Sequence, residues 1–164
     1  MDEAAVDPRE ELERAREAAL MLLTVRARSV SEMDERLARK RVPQEVRTRV
    51  IQDLTAAGLL DDHAFARLWA DERVRLRPVG RRRLVAELRA KRIDPAVIDQ
   101  VAAEVYDEHA EVDLARRVLA KRLRGGGVET LERERTRLRG FLLRRGFSHE
   151  TVTAVLNDPE GEDG

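Results

Sequence analysis

The chain has 164 residues, with 32 Lys and Arg balanced by 32 Asp and Glu, 42 % hydrophobic, 39 % charged, 3 % aromatic and no cysteine. The lack of cysteine excludes disulfide scaffolds, thiol nucleophiles and thiolate metal sites. No run approaches the ~18 apolar residues of a membrane span, and Met1-Asp2-Glu3 opens acidic where a secretory leader would be basic and then apolar, so the expected setting is cytoplasmic.

Ala, Leu, Arg and Glu dominate, all strong helix formers, while aromatic and β-branched clusters that favour strands are scarce, so an all-α fold is expected. Residues 1–15 form an acidic lead broken by Pro8 that runs into a first helix, with Ala15, Ala19, Leu22 and Leu23 at helical spacing. That helix stops near Arg28-Ser29. Ser31 reads as the N-cap of a second helix, with Asp34 as its capping-box partner. This helix ends near Arg41, and Val42-Pro43 separates it from a third, whose Val46, Val50, Ile51 and Leu54 face inward and whose C′ residue is Gly58. Asp61-Asp62 caps a fourth helix, with Phe65, Leu68, Trp69 and Leu76 as its apolar stripe.

Pro78-Val79-Gly80 breaks the chain before a fifth helix with Leu84, Val85 and Leu88 inside. Asp94-Pro95, an N-cap followed by Pro at the first helical position, opens a sixth with Val97, Ile98, Val101 and Val105. A seventh presents Ala115, Val118 and Leu119 and stops at Gly125-Gly126-Gly127. The eighth carries Leu131, Leu138, Phe141 and Leu142 and ends at Gly146; Ser148 caps a ninth with Val152, Val155 and Leu156.

These helices fall into triplets. Leu37 to Pro43 aligns with Leu88 to Asp94 and with Leu142 to Ser148, at spacings of 51 and 54 residues: a leucine, a basic residue three later, an apolar residue two beyond it, then a helix-starting residue. A three-helix unit of ~50 residues is marginal alone, and stacked units share interfaces. The expected architecture is three tandem three-helix repeats in an elongated, curved body. An acidic lead covers 1–15, the repeats cover 16–60, 61–108 and 109–157, and an acidic tail covers 158–164.

Charge is segregated along the chain. Residues 73–92 carry nine basic groups against Glu87 alone, residues 93–113 carry seven acids and no Lys or Arg, and residues 116–124 carry five basic groups. Local potential of this kind steers association even when net charge is zero.

Catalytic chemistry is not indicated. His63, His109 and His149 are isolated, and Asp61-Asp62-His63 reads as a helix cap in preference to a metal site. Gly125-Gly126-Gly127 lacks the Lys-Ser/Thr of a phosphate-cradling loop. Ser31 to Gly58 has the rhythm of a winged helix, but a helix follows where a wing needs strands, which argues against duplex readout by a recognition helix. No enzyme, metal or cofactor is expected. The basic stretch points instead to a contact surface, since guanidinium forks suit phosphates and carboxylates. Arg73, Arg77, Arg81, Arg82, Arg83, Arg89 and Lys91 form the main candidate set, with Arg26, Arg28, Arg144 and Arg145 secondary. Phe65, Trp69, Leu84 and Leu88 are assigned to the core.

Several strings, in order, resemble the RecX family, regulators of the RecA recombinase. They are Arg26-Ala27-Arg28-Ser29; Gly58-Leu59-Leu60-Asp61-Asp62 with Phe65, Ala66, Trp69 and Arg73; Gly80 with Arg83-Leu84, Glu87-Leu88 and Lys91; and Phe141-Leu142 with Arg145-Gly146-Phe147-Ser148. Together they cover about residues 16–157. The family's Lys-Gly turn reads Lys40-Arg41 and Lys91-Arg92 here, and Met33 stands where Leu is usual. The resemblance implies a non-catalytic helical-repeat protein that lies in the helical groove of the RecA–single-stranded DNA filament; separately, a monomer is expected. It would damp strand exchange, ATP hydrolysis and RecA's coprotease function. The alternative expectation is a helical module that binds single- or double-stranded DNA directly, without RecA.

Overall fold

The computed structural model describes residues 7–123 and 127–159; the side chains of 127–132 are not described. Gly125, Gly126, the Leu131 side chain, residues 1–6 of the acidic lead and residues 160–164 of the acidic tail therefore lie outside the described residues. Among the described residues the chain forms nine helices and no strand: α1 (Pro8–Val25), α2 (Val30–Arg39), α3 (Gln44–Ala56), α4 (Asp62–Leu76), α5 (Arg81–Ala90), α6 (Pro95–Glu108), α7 (Glu111–Arg122), α8 (Gly127–Arg144) and α9 (His149–Asn157). They belong to two compact units, residues 1–65 with 91–93, and residues 66–90 with 94–164.

In the first unit α1, α2 and α3 pack on one another around Ala15, Ala19, Met33, Leu37, Val50, Leu54 and Leu60. Pro8 starts α1 where an interruption was expected: it occupies the first turn, where its missing N–H costs nothing, and the Asp7 carboxylate accepts from Arg9 N at 2.9 Å. The N-cap of α2 is Ser29, not Ser31. Its hydroxyl accepts from Glu32 N at 3.1 Å, while the Asp62 carboxylate takes Val30 N at 2.8 Å. Ser29-x-x-Glu32 outcompetes Ser31-x-x-Asp34 because the second cap from Asp62 fixes the helix start two residues earlier. At the other end of α3, Leu59 N bonds Leu54 O and Gly58 N bonds Thr55 O, a Schellman closure with Gly58 at φ +70°.

Arg41 and Arg92, where the resembling family has glycine, take the left-handed backbone themselves, at φ +63° and +56°. A residue with a Cβ pays about 1 kcal/mol or more for that region. Arg41→Gly is expected to stabilise the chain by about 1 kcal/mol, read as a higher urea midpoint at unchanged slope. Arg92→Gly should gain less, because it also removes the exposed Arg92–Glu35 ion pair at 3.2 Å.

The second unit packs α5 on α6 and α7 and α8 on α9. Its buried side chains include Leu84, Leu88, Ile98, Val101, Val105, Leu114, Leu119, Leu138, Leu142, Phe147, Val152, Val155 and Leu156. On α4 the expected stripe is corrected in part: Phe65 is buried, but Leu68 and Leu76 are 58 % and 55 % exposed, and Ala66, Ala70 and Val74 form the buried row beside Phe65. Small side chains at i, i+4 and i+8 let backbones approach closely, so volume is a poor guide to which face turns inward. Gly80 and Gly146 meet backbone to backbone, with Gly80 N donating to Arg145 O at 2.9 Å. A Cβ on Gly80 would lie 2.2 Å from Gly146 C. The same turn is held by Tyr106, whose hydroxyl donates to Val79 O at 2.8 Å, by Arg145 Nη1 on Pro78 O at 3.0 Å, and by Glu111, which accepts from Arg81 N at 2.8 Å.

Candidate functional site

In the first unit, Arg26 and Arg28 leave the end of α1 and converge on one carboxylate. Arg28 is buried and gives Nη1 to Glu32 Oε1 at 2.5 Å and Nε to Leu22 O at 3.2 Å. Arg26, half exposed, also pairs with Glu32. Burial pushes the Glu32 carboxyl up, but the bonds and charges from Arg26 and Arg28 outweigh it and the net shift is downward. Enclosed this way, Arg28 ties α1 to α2. The Lys91 ammonium lies 5.6 Å from the centre of the Phe65 ring.

In the second unit Glu87 collects three donors: Trp69 Nε1 at 3.0 Å, Arg73 Nε at 2.7 Å and Arg83 Nε at 3.1 Å. The Arg73 guanidinium also stacks 4.6 Å from the Trp69 ring centre. Trp69, expected in the core, is half-buried and spends its N–H on this cluster, whereas Phe65, Leu84 and Leu88 are buried. Burial raises the Glu87 carboxyl, and the Arg73, Trp69 and Arg83 bonds reverse that and hold it below the usual glutamate range. Arg81, Arg82, Arg89 and Arg144 are exposed.

A groove lies alongside. Arg75, Arg77 and Pro78 from the end of α4, Arg117, Lys121 and Arg122 from α7, and Phe141 and Arg145 from the end of α8 line a cavity of about 810 Å³. A second, of about 640 Å³, is lined by Arg82, Arg83, Glu87 and Arg144. The structure thus brings Arg77 and Arg145 together in the first, and Arg82, Arg83 and Arg144 in the second. Burial, then the neighbouring charges of Arg83 and Arg77, pull the Arg145 pKa below its ordinary value. Arg75, Arg117, Lys121 and Arg122 were absent from the candidate set, although the basic block at 116–124 was visible. What was not visible is that α7 turns these residues toward the end of α4.

Chemically, this surface can hold anions. Among the described residues no group of three or more His, Cys, Asp or Glu is placed to hold a metal ion, and no helix is long and apolar enough to cross a membrane.

Comparison with known proteins agrees with the repeat reading. Residues 15–54, 61–101 and 109–156 match the first, second and third three-helix domains of RecX. The regulatory protein RecX of Streptomyces coelicolor is 35 % identical over 159 residues, covering 95 % of this chain and 84 % of the relative; that of Mycobacterium avium is 39 % identical over 148 residues, covering 88 % and 83 %. The crystal structure of RecX from Lactobacillus salivarius superposes with a TM-score of 0.80 at 17 % identity, covering 92 % of this chain and 97 % of that one. With all three domain models matched in order and curated relatives above one-third identity over most of its length, the chain belongs to the RecX family of regulatory proteins.

Proposed function

We propose that this chain is a non-enzymatic negative regulator of RecA, acting in the cytoplasm. It binds the RecA–single-stranded DNA filament in its helical groove and lowers recombinase, ATPase and coprotease activity. The observation that carries the reading is the ordered set of three RecX domains, with an exposed guanidinium cluster at the α4–α5 turn of the second. Its contacts are drawn from exposed members of the basic set in the second unit, Arg77, Arg81, Arg82, Arg89 and Arg144, flanked by Arg73 and Arg83, which Glu87 orients.

Co-sedimentation with RecA–DNA filaments tests this, with bare DNA as the control, alongside RecA-dependent ATP hydrolysis. The protein should pellet with the filament and slow hydrolysis. Arg81→Glu/Arg82→Glu/Arg83→Glu should weaken both effects and make the residual binding less salt-sensitive. Because Arg83 also pairs with Glu87, Arg82→Glu/Arg89→Glu serves as the structurally neutral variant. Inhibition unchanged in both variants would reject the contact set, and no inhibition by the native chain would reject the reading.

A further inference from the structure

The groove between α4, α7 and α8 gathers positive charge that its described lining does not compensate. Several guanidiniums outside it find carboxylates: Arg14 with Glu10, Arg47 with Asp34, Arg67 with Asp71 and Glu108. Arg116, next to Arg117 in sequence, takes Asp113 and Asp158. In the groove, Arg75, Arg77, Arg117, Lys121, Arg122 and Arg145 surround about 810 Å³, and none of the described lining residues is acidic. The protein partners there are neutral. Arg145 donates to Pro78 O and Arg117 to Arg75 O, and Arg122 and Arg145 each lie 5.1 Å from the Phe141 ring centre. These contacts aim the guanidiniums without cancelling their charge.

Packing six cations around one cavity is electrostatically unfavourable; the Arg145 pKa is lowered by burial first, then by the charges of Arg83, outside this lining, and Arg77, within it. An anion carrying several closely spaced charges relieves the repulsion. Five of the six cations are arginines, whose planar forks take phosphate oxygens two at a time. Consecutive phosphates put a charge on every repeat, whereas successive acidic side chains of an extended peptide point to opposite faces. We propose that this groove is a binding site for a run of adjacent phosphates, as presented by a nucleic-acid strand or by a free polyphosphate. The site stands without RecA, although it shares Arg77 and Arg145 with the basic set above.

The test is fluorescence anisotropy of a labelled oligothymidylate with the full chain, RecA being absent, at several salt concentrations. Sodium tripolyphosphate and hexaglutamate serve as competitors. The native chain should bind the oligonucleotide, and Arg117→Glu/Lys121→Glu should weaken binding about tenfold or more. The slope of log K against log salt should become shallower by about 1.4, from two lost phosphate contacts on a single strand. Arg36→Glu/Arg39→Glu, an equal charge change on α2, should stay within about twofold, taking an exposed charge to contribute little. If the charge reversal prevents folding, Arg117→Ala/Lys121→Ala should still weaken binding severalfold. Displacement by tripolyphosphate identifies free polyphosphate as a ligand; failure of displacement alongside groove-dependent DNA binding identifies the strand. No binding by the native chain, equal loss in the α2 variant, or displacement by hexaglutamate at the concentration at which tripolyphosphate acts would overturn the proposal. Since no arm contains RecA, failure here leaves the RecA reading standing, and failure of co-sedimentation leaves the phosphate site standing.

Discussion

Gly80→Ala and Gly146→Ala should each destabilise the second unit by about 3 kcal/mol or more, a large share of the ~5–15 kcal/mol by which domains are usually stable. The new methyl of Gly80→Ala would sit 2.2 Å from Gly146 C and O and from Phe147 N. That of Gly146→Ala would sit 2.4 Å from Arg83 Cβ and 2.5 Å from Arg83 N, at a position already held at φ +86°. The obstructing atoms are mostly backbone, so relief requires the α4–α5 and α8–α9 turns to part, breaking the Gly80 N to Arg145 O bond. Gly58→Ala is the informative control, with φ +70° but no atom within 4 Å of the added carbon; it should cost only about 1 kcal/mol of backbone strain. Melting followed by circular dichroism checks the contrast. The two severe variants should combine less than additively, since both break one contact. Equal melting points for Gly80→Ala and Gly58→Ala would show that the two turns do not meet as described.

Glu87→Ala should cost about 2 kcal/mol, far more than loss of an ordinary surface acid. It strips the shared acceptor from Trp69, Arg73 and Arg83 and leaves two guanidiniums unpaired in a strongly basic neighbourhood. Because the folded-state pKa of Glu87 is depressed, its ionised form supports the fold above the ordinary glutamate value of 4.5, and that support is lost as pH falls through the lower folded-state value. The melting-temperature gap between the native chain and Glu87→Gln should therefore be full near neutrality and close as the pH falls below 4.5 and through the lowered folded-state value. Emission from Trp69, the chain's single tryptophan, reports on the same site. A gap independent of pH would mean that the pairing contributes nothing.

Much of this arrangement was legible in the residues because it depends on neighbours in sequence. Asp94-Pro95, Gly58, Gly146 and Ser148 mark helix ends through local chemistry, and each end falls there. The misses share a cause. Ser29 beats Ser31 as a cap because Asp62, distant in the chain, takes Val30 N. The inner face of α4 includes Ala66 and Ala70, whose burial depends on how closely another backbone approaches. Glu87 stood out in sequence only as the lone acid among nine basic residues; its capture of three donors from α4 and α5 requires the folded geometry. The basic groove combines segments near positions 76, 119 and 143, so no local pattern contains it.

The turn at Pro78–Arg81 depends for its backbone bonds on Glu111 and Arg145. On a ribosome adding about 5–20 residues per second, that turn emerges seconds before Arg145 is synthesised, and its amides and carbonyl face water in the meantime. The α1–α3 core, complete by Leu60, has no such wait. Translation thus delivers an early finished portion and a late one whose closure is postponed until the final helices leave the exit tunnel.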